Sequence, residues 1–265
     1  MNVTLLKREI KANYKLLLIF MAVLTLYGSM IISMFDPKLG ESLEQMAQTM
    51  PQLFAAFGMM KAGTTLLSFS VNYLYGFLLI AFPSVFIILL SNKLMARYID
   101  RGSMAYLLAT SNKRRTIATT QAVVLLLNVC FLIAYMTILC VIVSGAMFPH
   151  ELEVAKFVMV NVGLLGLLFF LSGLCFFSSS VFNDSKLSNG VGAGCVIVFL
   201  LIQMISQVGN KFEGLKYLTP FTLFDTNGLM EYNERAILMM LSLYLAGICL
   251  FGIAIFLFDR RDLAL

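Results

Sequence analysis

Six unbroken apolar stretches, each about twenty residues long or somewhat longer, constrain this chain more than any other feature. They cover residues 16–35, 71–91, 117–145, 155–178, 190–208 and 236–258. The hydrocarbon layer of a bilayer is about 30 Å thick and an α-helix rises 1.5 Å per residue, so about 20 apolar residues cross it once. Barrel strands would alternate apolar and polar positions, and these stretches do not. The fold class expected is therefore all-α: a polytopic membrane protein with six transmembrane helices in one transmembrane domain spanning residues 1–265. Composition agrees, with 60% hydrophobic and 12% charged residues, where soluble domains carry roughly 25% charged. The third stretch is longer than one crossing needs, so it starts in the cytoplasm or tilts. The first apolar run starts near Leu16 without a small-residue cleavage site after it, which argues against a cleavable signal peptide.

Lys and Arg set the orientation. With both termini cytoplasmic, thirteen of the nineteen fall inside, among them Lys7, Arg8, Lys11, Lys15, Lys93, Arg97, Arg101, Lys113, Arg114 and Arg115. Most acids fall outside, including Asp36, Glu41, Glu44, Glu151, Glu153, Asp225 and Glu234. The net charge of +5 thus reflects topology, with membrane lipids as the partner surface and no nucleic acid.

Four segments outside the spans have their own character. Residues 1–15 place Val3, Leu6, Ile10 and Tyr14 at helical spacing with Lys7, Arg8 and Lys11 between them. That pattern predicts an amphipathic interfacial helix on the inner surface; ordinary basic flanking of the first span is the alternative. After the first span, Pro51 followed by Leu53, Phe54, Ala55 and Ala56 predicts a short interfacial helix with proline at its first position. Residues 92–116 are cytoplasmic: Gly102 interrupts the helix, Ser103 caps a short one, and Met104, Leu107 and Leu108 form one apolar face. Ser111 and Asn112 then cap the third span. An apolar face there suits a groove on a soluble partner, or else packs back on its own bundle. Residues 209–235, too apolar for a solvated loop and too short to span, read as a re-entrant or interfacial helix pair broken at Pro220.

Asp100-Arg-Gly-Ser-Met-Ala-Tyr-Leu-Leu-Ala-Thr-Ser-Asn-Lys-Arg114 resembles the coupling segment of ABC-2 type permeases, the membrane subunits of bacterial ABC exporters. The likeness extends to the six spans, the basic N-terminal helix, the long loop after the first span, and the ending Phe258-Asp-Arg-Arg-Asp262-Leu263. Ser111 stands where the family has proline, Ser103 replaces threonine, and the acidic pair before the glycine is here Asp100-Arg101. The resemblance implies a non-catalytic permease subunit in the bacterial cytoplasmic membrane. It implies two ABC ATPase subunits as partners, with ATP and Mg bound there and no cofactor in this chain. A second permease copy or a homologous permease completes the complex. It also implies that Asp100, Arg101, Gly102, Met104, Leu107, Leu108 and Arg114 dock the ATPase. The cargo implied is a hydrophobic or amphipathic compound, such as a drug, antimicrobial peptide or lipid, or an ion.

The chain has no phosphate-binding loop of the Walker type. No charged residue lies deep in a span, which argues against the alternative of an ion-gradient-driven secondary transporter. A lone histidine, His150, leaves no nucleophile–base pair for intramembrane hydrolysis. Cys130, Cys140, Cys175, Cys195 and Cys249 lie in apolar runs without metal-ligand spacing and read as packing residues. The polar groups inside the spans are uncharged: Asn72, Asn128, Asn161, Ser172 and Gln203. They either line a substrate route or tie helices together. Gly190, Gly192 and Gly194 at the start of the fifth span suit close helix packing.

Overall fold

A computed structural model describes residues 2–35, 46, 48–57, 65–96, 98, 113–182, 184–208 and 212–260. Six of its helices are long and apolar enough to cross a membrane, and each carries one of the six apolar stretches. They are α1 (Val3–Ser33), α3 (Leu66–Ala96), α4 (Arg114–Met147), α5 (Val154–Val181), α6 (Ser185–Gln207) and α8 (Glu234–Arg260). Two shorter helices are α2 (Pro51–Ala56) and α7 (Thr226–Met230). No described residue is in a strand. Most spanning helices outrun their apolar stretches because the backbone hydrogen-bond ladder continues past the point where side chains become polar.

Alternation of chain direction gathers the starts of α1, α4 and α6 with the ends of α3, α5 and α8 at one end of the bundle. Polar contacts mark this end. The Asn2 amide donates to Thr120 Oγ1 at 3.0 Å, Ser91 and Ser179 share a hydrogen bond of 3.1 Å, and Ser178 Oγ donates to the Ser188 carbonyl at 2.7 Å. The opposite end holds α2, α7 and the segment before α7.

Helices α3 and α5 occupy the centre. Phe86, Ile87, Leu90, Leu164, Leu167, Leu168, Leu171 and Phe176 are fully buried. Helices α1, α6 and α8 keep broad apolar outer faces, with Leu201 on α6 52% exposed and Leu245 on α8 63%. Such faces fit a hydrocarbon surround, where lipid tails are as apolar as leucine.

Because lipid supplies no hydrophobic drive between helices, association rests on close packing. The tightest pair is α5 with α8, which run parallel. A Cβ added at Gly173 would lie 3.1 Å from the Gly247 carbonyl oxygen and 3.0 Å from Leu250 Cβ. One at Gly247 would lie 2.6 Å from Phe169 Cδ1 and 3.1 Å from the Phe169 carbonyl oxygen. Gly166 meets Tyr244 in the same way. Phe169 and Phe176 then stack against Phe251 with ring centroids 5.7 and 5.3 Å apart. Of the glycines in α6, only Gly192 faces a close neighbour, Ser178. Gly190 and Gly194 have open space where a side chain would be, so the expected glycine packing is carried by one residue of three.

Three further expectations change. Residues 3–15 are helical but form no separate element, since α1 runs unbroken from Val3 to Ser33. At about 1.5 Å per residue, α1 is about 46 Å long and outreaches the hydrocarbon layer. Its buried stripe is Leu5, Glu9 and Asn13, while Val3, Ile10 and Tyr14 face outward. The connection between the fifth and sixth spans, expected as a re-entrant or interfacial helix pair broken at Pro220, is built of 3₁₀ rather than α-helical turns. It forms 3₁₀ turns at Glu213–Leu218 and Pro220–Leu223, with the break at Thr219 and Pro220 opening the second turn. Helix α7 follows, its Asp225 side chain capping the Gly228 amide at 3.0 Å. Helix α4 starts at Arg114 with Lys113 at the cap position and no side-chain cap; Ser111 and Asn112 lie outside the described residues. The helix expected at Pro51 is present as α2, with proline in its first turn.

The glycine contacts make a differential prediction. Gly173→Leu or Gly247→Leu should destabilise the detergent-solubilised protein by about 1–3 kcal/mol, the usual cost of overpacking a filled interface. Gly190→Leu and Gly194→Leu should leave the thermal unfolding midpoint nearly unchanged. Equal shifts for all four variants would refute the assignment of the α5–α8 contact.

Candidate functional site

Helix α3 departs from regular α-geometry in the stretch that faces a cavity with polar lining. Pro83 lies inside it and cannot donate to the Leu79 carbonyl one turn back. Just before that position, Val71–Leu78 winds as a π-helix. Widened turns of this kind recur at functional sites because they re-aim side chains. Here the widened turn presents Asn72, Tyr75 and Gly76 to one cavity.

That cavity has a volume of about 340 Å³ and sits at the end of the bundle away from α1's first residues. From α6 it receives Gln203 and Gln207, from α7 Thr226 and Asn227, and from the 3₁₀ segment Phe221 and Phe224. Thr219 Oγ1 donates to Gln203 Oε1 at 3.2 Å, tying the 3₁₀ segment to α6. Phe221 and Phe224 are buried, and Tyr75 packs its ring near Phe157 and Phe224 with centroids 6.1 and 6.3 Å away.

Of the four amides expected along a substrate route, Asn72 and Gln203 line this cavity and Asn128 and Asn161 do not. Asn161 is buried just behind it beside Tyr75, its Nδ2 donating to the Phe157 carbonyl at 2.9 Å. Asn128 lies elsewhere on α4 and bonds within its own helix, to the Val124 carbonyl at 2.8 Å. Ser172 is fully buried in α5. Tyr75, Gln207, Thr226 and Asn227 were not singled out from sequence. Tyr75 could have been, because it sits three residues from Asn72 on one helical face.

At the opposite end, Asp100, Arg101, Gly102, Met104, Leu107 and Leu108 lie outside the described residues. Arg114 is described, at the first position of α4. The root of the segment is also visible: α3 ends in a second π-helical turn, Asn92–Ala96, with Leu94, Met95 and Ala96 buried. Just beyond it the Tyr98 hydroxyl donates to Glu9 Oε1 of α1 at 2.6 Å. Glu9 is 2% exposed, so this bond satisfies a carboxylate that burial would otherwise penalise. Burial and the hydrogen bond to Glu9 push the Tyr98 hydroxyl up to about 12. Among the described residues no three of His, Cys, Asp and Glu come together in a way that could hold a metal ion, and all five cysteines are free.

The family model for ABC-2 family transporter proteins matches residues 10–263, nearly the whole chain. The chain belongs to the ABC-2 transporter family. No curated protein and no solved structure matches it. ABC-2 membrane subunits work with ABC ATPase subunits and are generally non-catalytic, and six apolar helices make this member a multi-pass membrane protein.

The Glu9–Tyr98 bond is testable. Tyr98→Phe leaves the buried carboxylate without its partner, and should cost about 1–3 kcal/mol of stability. Because the folded state holds the Tyr98 proton more tightly, this contribution is full below pH 10. It is lost as pH rises towards about 12. Thermal melts of both proteins from pH 8 to 12 should therefore converge at the alkaline end. A constant gap across that range would refute the assignment.

Proposed function

We propose that this chain is the permease subunit of an ATP-binding cassette exporter in the bacterial cytoplasmic membrane, with both ends in the cytoplasm. The family match over residues 10–263 carries the reading. In it, two ATPase subunits bind ATP and Mg and dock on residues 92–116. A second permease copy, or a homologous permease, supplies the other half of the gate. The cargo is a hydrophobic or amphipathic compound.

The geometry of α3 supports a coupling mechanism. One end of this helix enters the docking segment, and the other end carries Asn72 and Tyr75 at the cavity. The helix is buried along much of its length between α1, α4, α5 and α6. A push at Ala96 therefore meets packed neighbours on all these sides and travels along the helix rather than dissipating in loops. Pro83 and the two π-helical turns break the regular hydrogen-bond ladder, and a helix bends most easily at such points. ATP-driven movement of the docked subunits would tilt the lower part of α3 about Pro83. That tilt would reshape the cavity wall made by Asn72, Tyr75 and Gly76. The Glu9–Tyr98 bond makes α1 follow the same movement. Resting energy input in the partner also fits the uncharged spans, which offer no proton relay.

Replacing Leu107 and Leu108 together by Asp should abolish co-purification with the ATPase subunit, while membrane insertion and thermal midpoint stay as in the parent. Retained co-purification would remove the docking assignment. In inside-out vesicles holding the complex, uptake should need ATP and survive a protonophore. Protonophore-sensitive uptake without ATP would make the protein a gradient-driven transporter instead.

A further inference from the structure

We propose that the cavity between α3, α6 and α7 binds the polar part of the exported compound, and that this part is uncharged and carries amide or hydroxyl groups. The inference rests on the exporter reading and adds the chemical class of cargo to it.

Among the described residues six polar side chains line the cavity: Asn72, Tyr75, Gln203, Gln207, Thr226 and Asn227. None of the described residues lining it is charged. The neighbouring Asp225 already spends one carboxylate oxygen capping α7, and Lys216 places its ammonium 5.2 Å from the Tyr217 ring centre. An ionic headgroup entering the cavity would give up water and find no opposite charge among the described lining residues, which is unfavourable. Amides and hydroxyls each donate and accept, so they match a neutral guest with the same duality, such as a peptide backbone or a sugar.

A second observation points to a guest. Tyr75 lines the cavity and is 2% exposed, and its hydroxyl has no partner at hydrogen-bond distance among the described residues. Its polar neighbour is the Asn161 side chain, buried behind the cavity wall. Buried polar atoms are rarely left without partners, and the Tyr75 residue at the cavity wall is a place where a ligand's hydroxyl or amide is stabilised. The other side chains of the described lining are apolar: Ala55, Val71, Ile80, Phe221 and Phe224. A volume of about 340 Å³ equals about eleven water molecules at about 30 Å³ each, enough for a dipeptide or a single sugar.

The test uses the full-length chain alone in nanodiscs of zwitterionic lipid, without ATPase or ATP. Three photoreactive octanoyl dipeptide amides serve as probes, identical except for a glutamine, glutamate or lysine side chain. The glutamine probe should label saturably on α3 and α6 around the cavity, and the charged probes at least about tenfold more weakly. Tyr75→Phe and Gln203→Leu should each weaken the glutamine probe by about tenfold, the usual effect of losing one buried hydrogen bond. Asn227→Leu, at an exposed rim position, should weaken it without affecting folding. Equal labelling by all three probes, labelling mapped elsewhere, no saturable labelling, or unchanged labelling of Asn227→Leu and the folded variants would each overturn the proposal. ATPase co-purification is read separately, so loss of the exporter reading and loss of this one give different results.

Discussion

A peptide group inside hydrocarbon has no water to bond, and each one left unsatisfied costs several kcal/mol. That constraint forces the six apolar stretches into helices, whose backbone groups pair within their own segments. It also makes any interruption of the ladder conspicuous. Helix α3 carries the two π-helical turns and an internal proline. It is also among the most protected of the spanning helices, packed against α1, α4, α5 and α6. The irregular backbone is tolerated where protein, rather than lipid, surrounds it, and there it lines the cavity and adjoins the segment proposed to dock the ATPase.

The second governing fact is the lack of ionic groups deep in the spans. Helix contacts then depend on shape and on neutral hydrogen bonds. Glycine removes the Cβ that would hold α5 and α8 apart, and the flanking Phe169, Phe176 and Phe251 fill the remaining volume. Hydroxyls tie other pairs, as Thr25 to Tyr135 between α1 and α4 at 2.7 Å. Glu9 is the exception that fits the rule. It is buried near the start of α1, beside the polar end of the bundle, and the Tyr98 hydroxyl satisfies it. The same neutrality leaves the cavity lined by amides and hydroxyls, so the character of the packing and of the candidate site have one origin.

Much of this was legible from the residues in order. Apolar runs of spanning length mark all six long helices, and Pro51 marks the first turn of α2. Asn72 and Gln203 stood out as polar groups in apolar runs, and both line the cavity. Other features were hidden for a physical reason. Gly166, Gly173 and Gly247 sit in helices that are apolar on every side, and lipid and protein faces look alike when both are apolar. Gly190 and Gly194 looked equally suited to packing and face open space. Tyr75 was marked only by its spacing from Asn72, and its burial beside Asn161 shows in the structure alone.

By itself the sequence determined the element types and the membrane class, because spanning length, hydropathy and the cost of unpaired peptide groups act locally along the chain. Its Lys and Arg distribution argues the orientation in the same local way. Only the tertiary structure decided which glycines touch, that α1 continues unbroken into the N-terminal segment, and that amides from α3, α6 and α7 converge on one cavity. Those outcomes depend on how helices rotate and shift against one another. In a medium as apolar as the side chains themselves, shape complementarity in three dimensions sets that choice, and a one-dimensional pattern carries little of it.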